Sequence, residues 1–181
     1  MPVPSSEFKK AIKQLTDKEK EALLLKAVRR DAELYEIVAF ELLEIPVEQL
    51  VEETSEKIHD LMYGLTGRSL SKSLTRSLRK STKEIARFKR ITKNVKGEVD
   101  LHLFLLRLIF QNFTSQFDGY YKTFFTSTAR LLLRTIQLIK KHLDEDYFVE
   151  YEAELNEYLE QIHNRNKPLS FNLPPTFEAA K

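Results

Sequence analysis

The stretch Arg68–Lys96 reads RSLSKSLTRSLRKSTKEIARFKRITKNVK, and its spacing decides the fold. Arg68, Lys72, Arg76, Arg79, Lys83, Arg87 and Arg90 follow one another at intervals of three or four residues. Leu70, Leu74, Leu78, Ile85, Phe88 and Val95 fall on the opposite side. Such spacing predicts one continuous helix over 68–96, apolar behind and cationic in front. Eleven Lys and Arg stand against Glu84 alone, a net charge of +10. At 1.5 Å per residue the row forms a ridge of roughly 35 Å. Like charges at this spacing repel by roughly a few tenths of a kcal/mol per pair, so a counter-charge is expected.

The flanking sequence is helical too. Leucine far outnumbers valine, only four glycines occur, and no proline lies between Val47 and Lys167. That composition favours helix over strand. Ser5 or Ser6 can cap a first helix, Thr16 with Glu19 fits a capping box for a second, and Asp31 can cap a third. Pro46 suits the first position of a fourth helix, with Gly67 just past its end. Gly97 separates the basic helix from an apolar sixth, and Asp118-Gly119 separates that from a long seventh. Asp144, Glu145 and Asp146 open the last helix with favourable charge. The sixth helix is apolar on most sides through Leu101, Leu103, Leu105, Leu106, Ile109, Phe110, Phe113 and Phe117, which places it at the centre.

The expected fold is all-α, with about eight helices in an irregular bundle or a stack of antiparallel helical hairpins. Residues 1–166 make a single helical domain. Residues 167–181, with Pro168, Pro174 and Pro175, make an extended tail whose Phe171, Leu173 and Phe177 either dock or stay mobile.

Composition narrows function by exclusion. A chain of 181 residues with 42% hydrophobic residues can bury a core, and its formal charge is only +2, so overall charge points to no partner. There is no cysteine, which rules out disulfides and thiol-ligated metal and suits the cytoplasm. The start, Met1 to Ser6, has no secretory-leader pattern. The most apolar window, Leu101 to Phe110, carries His102 and Arg107 and is too short for a bilayer.

No catalytic residue, metal site or cofactor is expected. Glu56/His59 and Glu160/His163 have Glu-x-x-His spacing, but Glu56, His59 and Glu160 lie off the apolar faces of their helices. His102 falls on an apolar face and reads as a hydrogen-bonded core residue; His142, near a helix C-terminus, reads as a dipole contact. Gly64-Leu65-Thr66-Gly67-Arg68-Ser69 is like the end of a phosphate loop, but Met62 takes the first glycine position, Arg68 replaces lysine and no strand precedes it. Amides at the start of the basic helix, beside Arg68, can still hold a phosphate or sulfate. The aromatic cluster from Phe110 to Phe125, with Tyr120 and Tyr121 at its turn, reads as core, with a small pocket there as the other reading.

The ridge of Arg68, Lys72, Arg76, Arg79, Lys83, Arg87 and Arg90 is therefore the candidate partner- or phosphate-binding site. The first reading is a non-enzymatic interaction or scaffold protein that meets an acidic protein or another copy of itself. Asp31 to Asp60 carries ten acidic residues and one lysine, and Asp144 to Glu160 carries eight with no Lys or Arg. The second reading is weak, sequence-nonspecific nucleic-acid binding by the same face. An anionic membrane fits poorly, since the helix lacks Trp and carries Ser77, Ser81 and Thr92. The plain alternative is a solvated face balanced by acidic neighbours.

The opening Glu7-Phe8-Lys9-Lys10, then Leu15-Thr16-Asp17-Lys18-Glu19, the central basic helix and Leu138-Ile139-Lys140-Lys141 occur in an order that resembles an uncharacterised family of small bacterial all-helical proteins of unknown function. The resemblance covers most of the chain. It implies a bacterial cytosolic protein and no catalytic or binding residue.

Overall fold

The computed structural model describes residues 3–66, 69–119, 122–165 and 167–180. Eight α-helices and no strand occur among them, with antiparallel packing between helices. The chain divides into two compact units, Met1–Ile45 and Pro46–Lys181.

The smaller unit holds α1 (Ser6–Gln14), α2 (Asp17–Val28) and α3 (Ala32–Leu42). Local capping sets each start. The Ser5 hydroxyl accepts from the Phe8 amide at 3.1 Å, Thr16 and Glu19 close a reciprocal capping box, and the Asp31 carboxylate accepts from the Glu33 and Leu34 amides. Such caps satisfy amides that the first turn leaves without partners. No residue of these three helices is buried, and Leu23, Leu24 and Leu25 are exposed.

The larger unit holds α4 (Val47–Tyr63), α5 (Leu70–Thr92), α6 (Val95–Asn112), α7 (Thr123–His142) and α8 (Phe148–His163), with a 3-10 turn at Thr114–Asp118. The apolar helix α6 packs against α4, α5 and α7. Its Leu101, Leu103, Leu105, Leu106 and Ile109 are almost fully buried, as a helix apolar on most sides requires. Leu74, Leu78, Ile85, Phe88 and Ile91 bury the back of α5. Leu70, expected on that buried side, is exposed, since it is the first residue of the helix.

The boundary after α5 differs from the expected one. Lys93 adopts a left-handed conformation, φ 57°, and its amide bonds to the Lys89 carbonyl at 3.0 Å. Asn94 then caps α6 by accepting from the Gly97 amide at 2.7 Å. The rod therefore stops at Thr92 instead of Lys96, while the segment carrying Lys72 to Arg90 stays unbroken. Gly97 is not the break. It sits inside the first turn of α6, where a Cβ would lie 2.7 Å from Phe88 Cζ and 3.2 Å from Val51. The glycine thus lets α4, α5 and α6 meet closely. Likewise α4 begins at Val47 with Pro46 as its cap, and it ends at Tyr63 with Gly64 as its C-cap; the expected stop, Gly67, lies outside the described residues.

The tail from Lys167 to Ala180 forms no helix and docks on the larger unit. Leu173, Phe177 and Ala180 are buried. The Phe177 amide donates to Asn156 Oδ1 at 2.7 Å, Lys140 Nζ donates to the Glu178 carbonyl at 2.8 Å, and Arg130 lies over the Phe171 ring.

Adding a methyl at Gly97 sets a helix-propensity gain of at most about 1 kcal/mol against overpacking of about 1–3 kcal/mol. Phe88, only 2% exposed, has little room to yield. Gly97→Ala is expected to destabilise the fold by a net of roughly 1 kcal/mol, read as a lowered urea midpoint; a raised midpoint would show that the contact with Phe88 is loose.

Candidate functional site

The expected ridge residues divide by environment. Lys72, Arg76, Arg79, Lys83 and Arg90 are exposed on α5. Arg87 is half-buried and pairs with Glu84 at 3.2 Å. Arg68 lies outside the described residues. Lys80, which falls off the expected row, is exposed as well. Among the described residues, no ion pair reaches Arg76, Arg79, Lys80 or Lys83. The neighbouring α4 exposes Glu48, Glu52, Glu53, Glu56 and Asp60. Acidic and basic helix faces thus lie side by side, each turned to solvent.

Two depressions border this surface. Lys57, Asp60, Arg76, Lys80, Glu84 and Arg87 contribute to an open groove of about 540 Å³ between α4 and α5. Ser73 donates to the Thr66 carbonyl at 2.9 Å and ties the connecting loop to one end of that hairpin. On the other flank, Ser71, Lys72, Thr75, Arg76, Arg79 and Thr123 line a cleft of about 270 Å³ between the starts of α5 and α7. No carboxylate is among the described residues lining the second.

Several polar groups are buried in the larger unit. Ser81, Thr128 and Thr135 are fully buried, with His102 and Glu98 nearly so. Thr135 donates to the Leu131 carbonyl at 2.8 Å, and Glu98 faces Lys89 at 3.7 Å and Arg134 at 3.8 Å. The remaining groups are less well matched. Among the described residues, Ser81 Oγ, Thr128 Oγ1, His102 Nδ1 and Ser71 Oγ are buried without a hydrogen-bond partner. An unmatched buried polar group costs about 1–3 kcal/mol. His102 is therefore a core residue, but one whose Nδ1 lacks the expected hydrogen bond. Burial, with the nearby Arg134 charge adding to it, pushes its pKa down to about 4.

The other histidines have plain roles. His59 stacks on Tyr63 with ring centroids 4.5 Å apart, and Glu56 and His59 are both exposed. His163 Nε2 donates to the Pro174 carbonyl at 3.0 Å and helps dock the tail. His142 is exposed in the last turn of α7. No group of three or more His, Asp or Glu converges as a metal site among the described residues. Phe110, Phe113, Phe117, Phe124 and Phe125 are buried, with Phe117 centroids 5.6–5.7 Å from Phe110, Phe124 and Phe125. The cluster is core; Tyr120 and Tyr121 lie outside the described residues.

Spacing along α5 indicated the ridge. Lys80 was within reach of the same reasoning, because Arg76, Lys80 and Lys83 keep intervals of four and three. The pairing of Ser71 with Thr123 carries no sequence signal, since 52 positions separate them. Among the described residues, no helix is long and apolar enough to cross a membrane. Comparison with protein-family models, curated proteins and solved structures finds no match to the chain.

His102 makes stability depend on pH in a defined window. Folded His102 stays neutral down to about pH 4, whereas the unfolded residue takes up its proton near its ordinary value of 6.5. The unfolded state therefore binds more protons between those values, and stability falls as pH drops through them, by about 3 kcal/mol at most. Glu154 acts lower. Burial pushes its carboxyl up, but hydrogen bonds from Arg107 and Tyr158 outweigh that and hold it below its ordinary 4.5. Its contribution is thus lost only as pH falls below that ordinary value. Urea unfolding of His102→Leu is expected to show a flat profile from pH 6.5 to 4.5 where the parent protein declines. Equal slopes for the two would exclude His102 as the source.

Proposed function

We propose that the protein is a non-enzymatic helical interaction protein of the cytoplasm, in which the cationic face of α5 docks on an acidic helix. In the simplest case that helix is α4 of a second copy. The observation that carries this reading is the row Arg76, Arg79, Lys80 and Lys83, exposed and without ion pairs among the described residues, beside a helix that exposes Glu48, Glu52, Glu53 and Glu56. The two rows match in length, about 12 Å for the glutamates and about 10 Å for the cations at 1.5 Å per residue. Both use offsets of one, three or four residues. A two-fold axis that sets α5 of one copy on α4 of the other satisfies both rows at once.

Nucleic acid is the second reading, and the same surface disfavours it. A phosphate backbone lying on α5 also meets the carboxylates of α4, and the only aromatic residue of α5, Phe88, is buried. Stacking on a base therefore has no platform on this helix.

Light scattering on the full chain tests the proposal. A dimer mass is expected at about 50 mM salt and a monomer mass at about 500 mM, where screening is strong. Three exposed ion pairs contribute about 1–3 kcal/mol in all, so Arg76→Glu/Arg79→Glu/Lys83→Glu is expected to weaken association about 10- to 100-fold. Mixing that variant with Glu52→Lys/Glu53→Lys/Glu56→Lys restores the dimer if the two rows meet. An unchanging monomer at every salt concentration contradicts self-association. Tight oligonucleotide binding at low salt, lost in the α5 variant, replaces it with the nucleic-acid reading.

A further inference from the structure

We infer that the groove between α7 and α8 is a docking site for an apolar peptide segment of a partner protein, and that the chain's own tail occupies it as a displaceable strap. The segment that fits carries an aliphatic residue four positions before a Phe, as Leu173 and Phe177 stand in the tail. The inference does not rest on self-association through α5.

The docked tail shows what the groove reads. Among the described residues, four hydrogen bonds join α7 and α8 to residues 173–180, and all end on tail main chain. Asn156 Oδ1 accepts from the Phe177 amide at 2.7 Å, and His163 Nε2 donates to the Pro174 carbonyl at 3.0 Å. Lys140 Nζ donates to the Glu178 and Ala180 carbonyls at 2.8 and 2.5 Å. Side chains of the helices thus hold backbone groups that any peptide offers.

Selectivity sits in two buried side chains. Leu173 is 5% exposed and Phe177 is 1% exposed. The Phe177 ring meets Phe148 of α8 edge-to-face, with centroids 5.5 Å apart, and Lys140 Nζ lies 5.4 Å from its centroid. Pro175, Thr176, Glu178 and Ala179 are exposed, so the groove leaves those positions free to vary. Main-chain hydrogen bonds for affinity and pockets for spaced side chains are the means by which proteins recognise peptide segments.

The strap can lift without unfolding the bundle. Helix α8 ends at His163, and the tail is outside every helix. Within 167–180, the hydrogen bonds among the described residues are those of a single turn, Ala180 to the Phe177 carbonyl and Ala179 to the Thr176 hydroxyl. Release therefore breaks no helical hydrogen bond, and opening of this kind is local. Pro168, Pro174 and Pro175 restrict the free tail, which lowers the entropy lost on docking and keeps the groove covered at rest. The tail of a second copy is a weak competitor, because the tether holds the chain's own tail at roughly millimolar effective concentration. A partner segment displaces the strap by adding contacts that the tail does not make.

The experiment uses the full chain at about 500 mM salt, where charge contacts of α5 are screened. Fluorescence anisotropy follows a labelled peptide of residues 169–180 with blocked ends. Phe177→Ala removes the main anchor of the tail and leaves the groove's own residues intact. That variant is expected to bind one peptide per chain, at least about tenfold more tightly than the parent chain, whose tail competes. Peptide carrying Phe177→Ala is expected not to bind, and adding Lys140→Met to the variant chain is expected to weaken the intact peptide about tenfold. Circular dichroism checks that the helices persist; if Phe177→Ala loses them, Leu173→Ala, which removes the other anchor, takes its place. Loss of helix in both variants overturns the proposal, because the tail is then part of the core. Absence of binding, equal binding to parent and variant, or equal binding of the Phe177→Ala peptide overturns it as well. A chain that stays monomeric at every salt concentration yet binds the peptide leaves the groove standing and removes only the self-association.

Discussion

Burial of Leu74, Leu78, Ile85, Phe88 and Ile91 is what turns α5 to face one way. Each such side chain removed from water contributes about 1.5–3 kcal/mol, so the set supplies on the order of 10 kcal/mol, an upper bound because unfolded chains also bury surface. Repulsion along the cationic row opposes this by a few tenths of a kcal/mol per pair, about 2 kcal/mol over the row. Packing wins by a wide margin. The charges are therefore held in a crowded row that they would not adopt alone, and the helix carries them as a fixed surface. The close approach of Phe88 to Gly97 shows how tight that packing is.

Small hydroxyl residues, Ser81 on α5 with Thr128 and Thr135 on α7, are fully buried in the same unit. Thr135 folds its hydroxyl back on its own helix, whereas Ser81 and Thr128 leave theirs unmatched. Glu98 is a buried carboxylate of this region, and Lys89 and Arg134 flank it at 3.7 and 3.8 Å. At the far side of α6, Arg107 makes two hydrogen bonds of 2.7 Å to Glu154 of α8, and Tyr158 adds a third at 2.6 Å. Such charge-assisted contacts orient α8 on the bundle.

Much of this was readable from the chain because it is local. Ser5, Thr16 and Asp31 open their helices where expected, since a cap depends on residues within one turn. Leu74, Leu78, Ile85 and Phe88 face inward because helical period alone places them together. What escaped depends on tertiary contact or on conformations a sequence does not announce. Gly97 looks like a helix end, yet it is a packing glycine, and the turn is made by Lys93 in a left-handed conformation that glycine or asparagine takes more readily. The tail gave no reason to choose between docked and free; Phe177 is seated because Asn156, Lys140 and Phe148 converge on it. The cleft joining Ser71 to Thr123 exists only once two helices are brought side by side.

The central claim is that α5 has a buried apolar back and a solvent-facing cationic front, and thiol accessibility tests it directly. The chain contains no cysteine, so single cysteines at positions 76, 78, 79, 81, 83 and 85 can each be timed against a thiol reagent in the folded protein. Fast labelling at 76, 79 and 83 and labelling slowed at least about 100-fold at 78, 81 and 85, as local opening against several kcal/mol requires, is the predicted pattern. Equal rates at all six positions would contradict it.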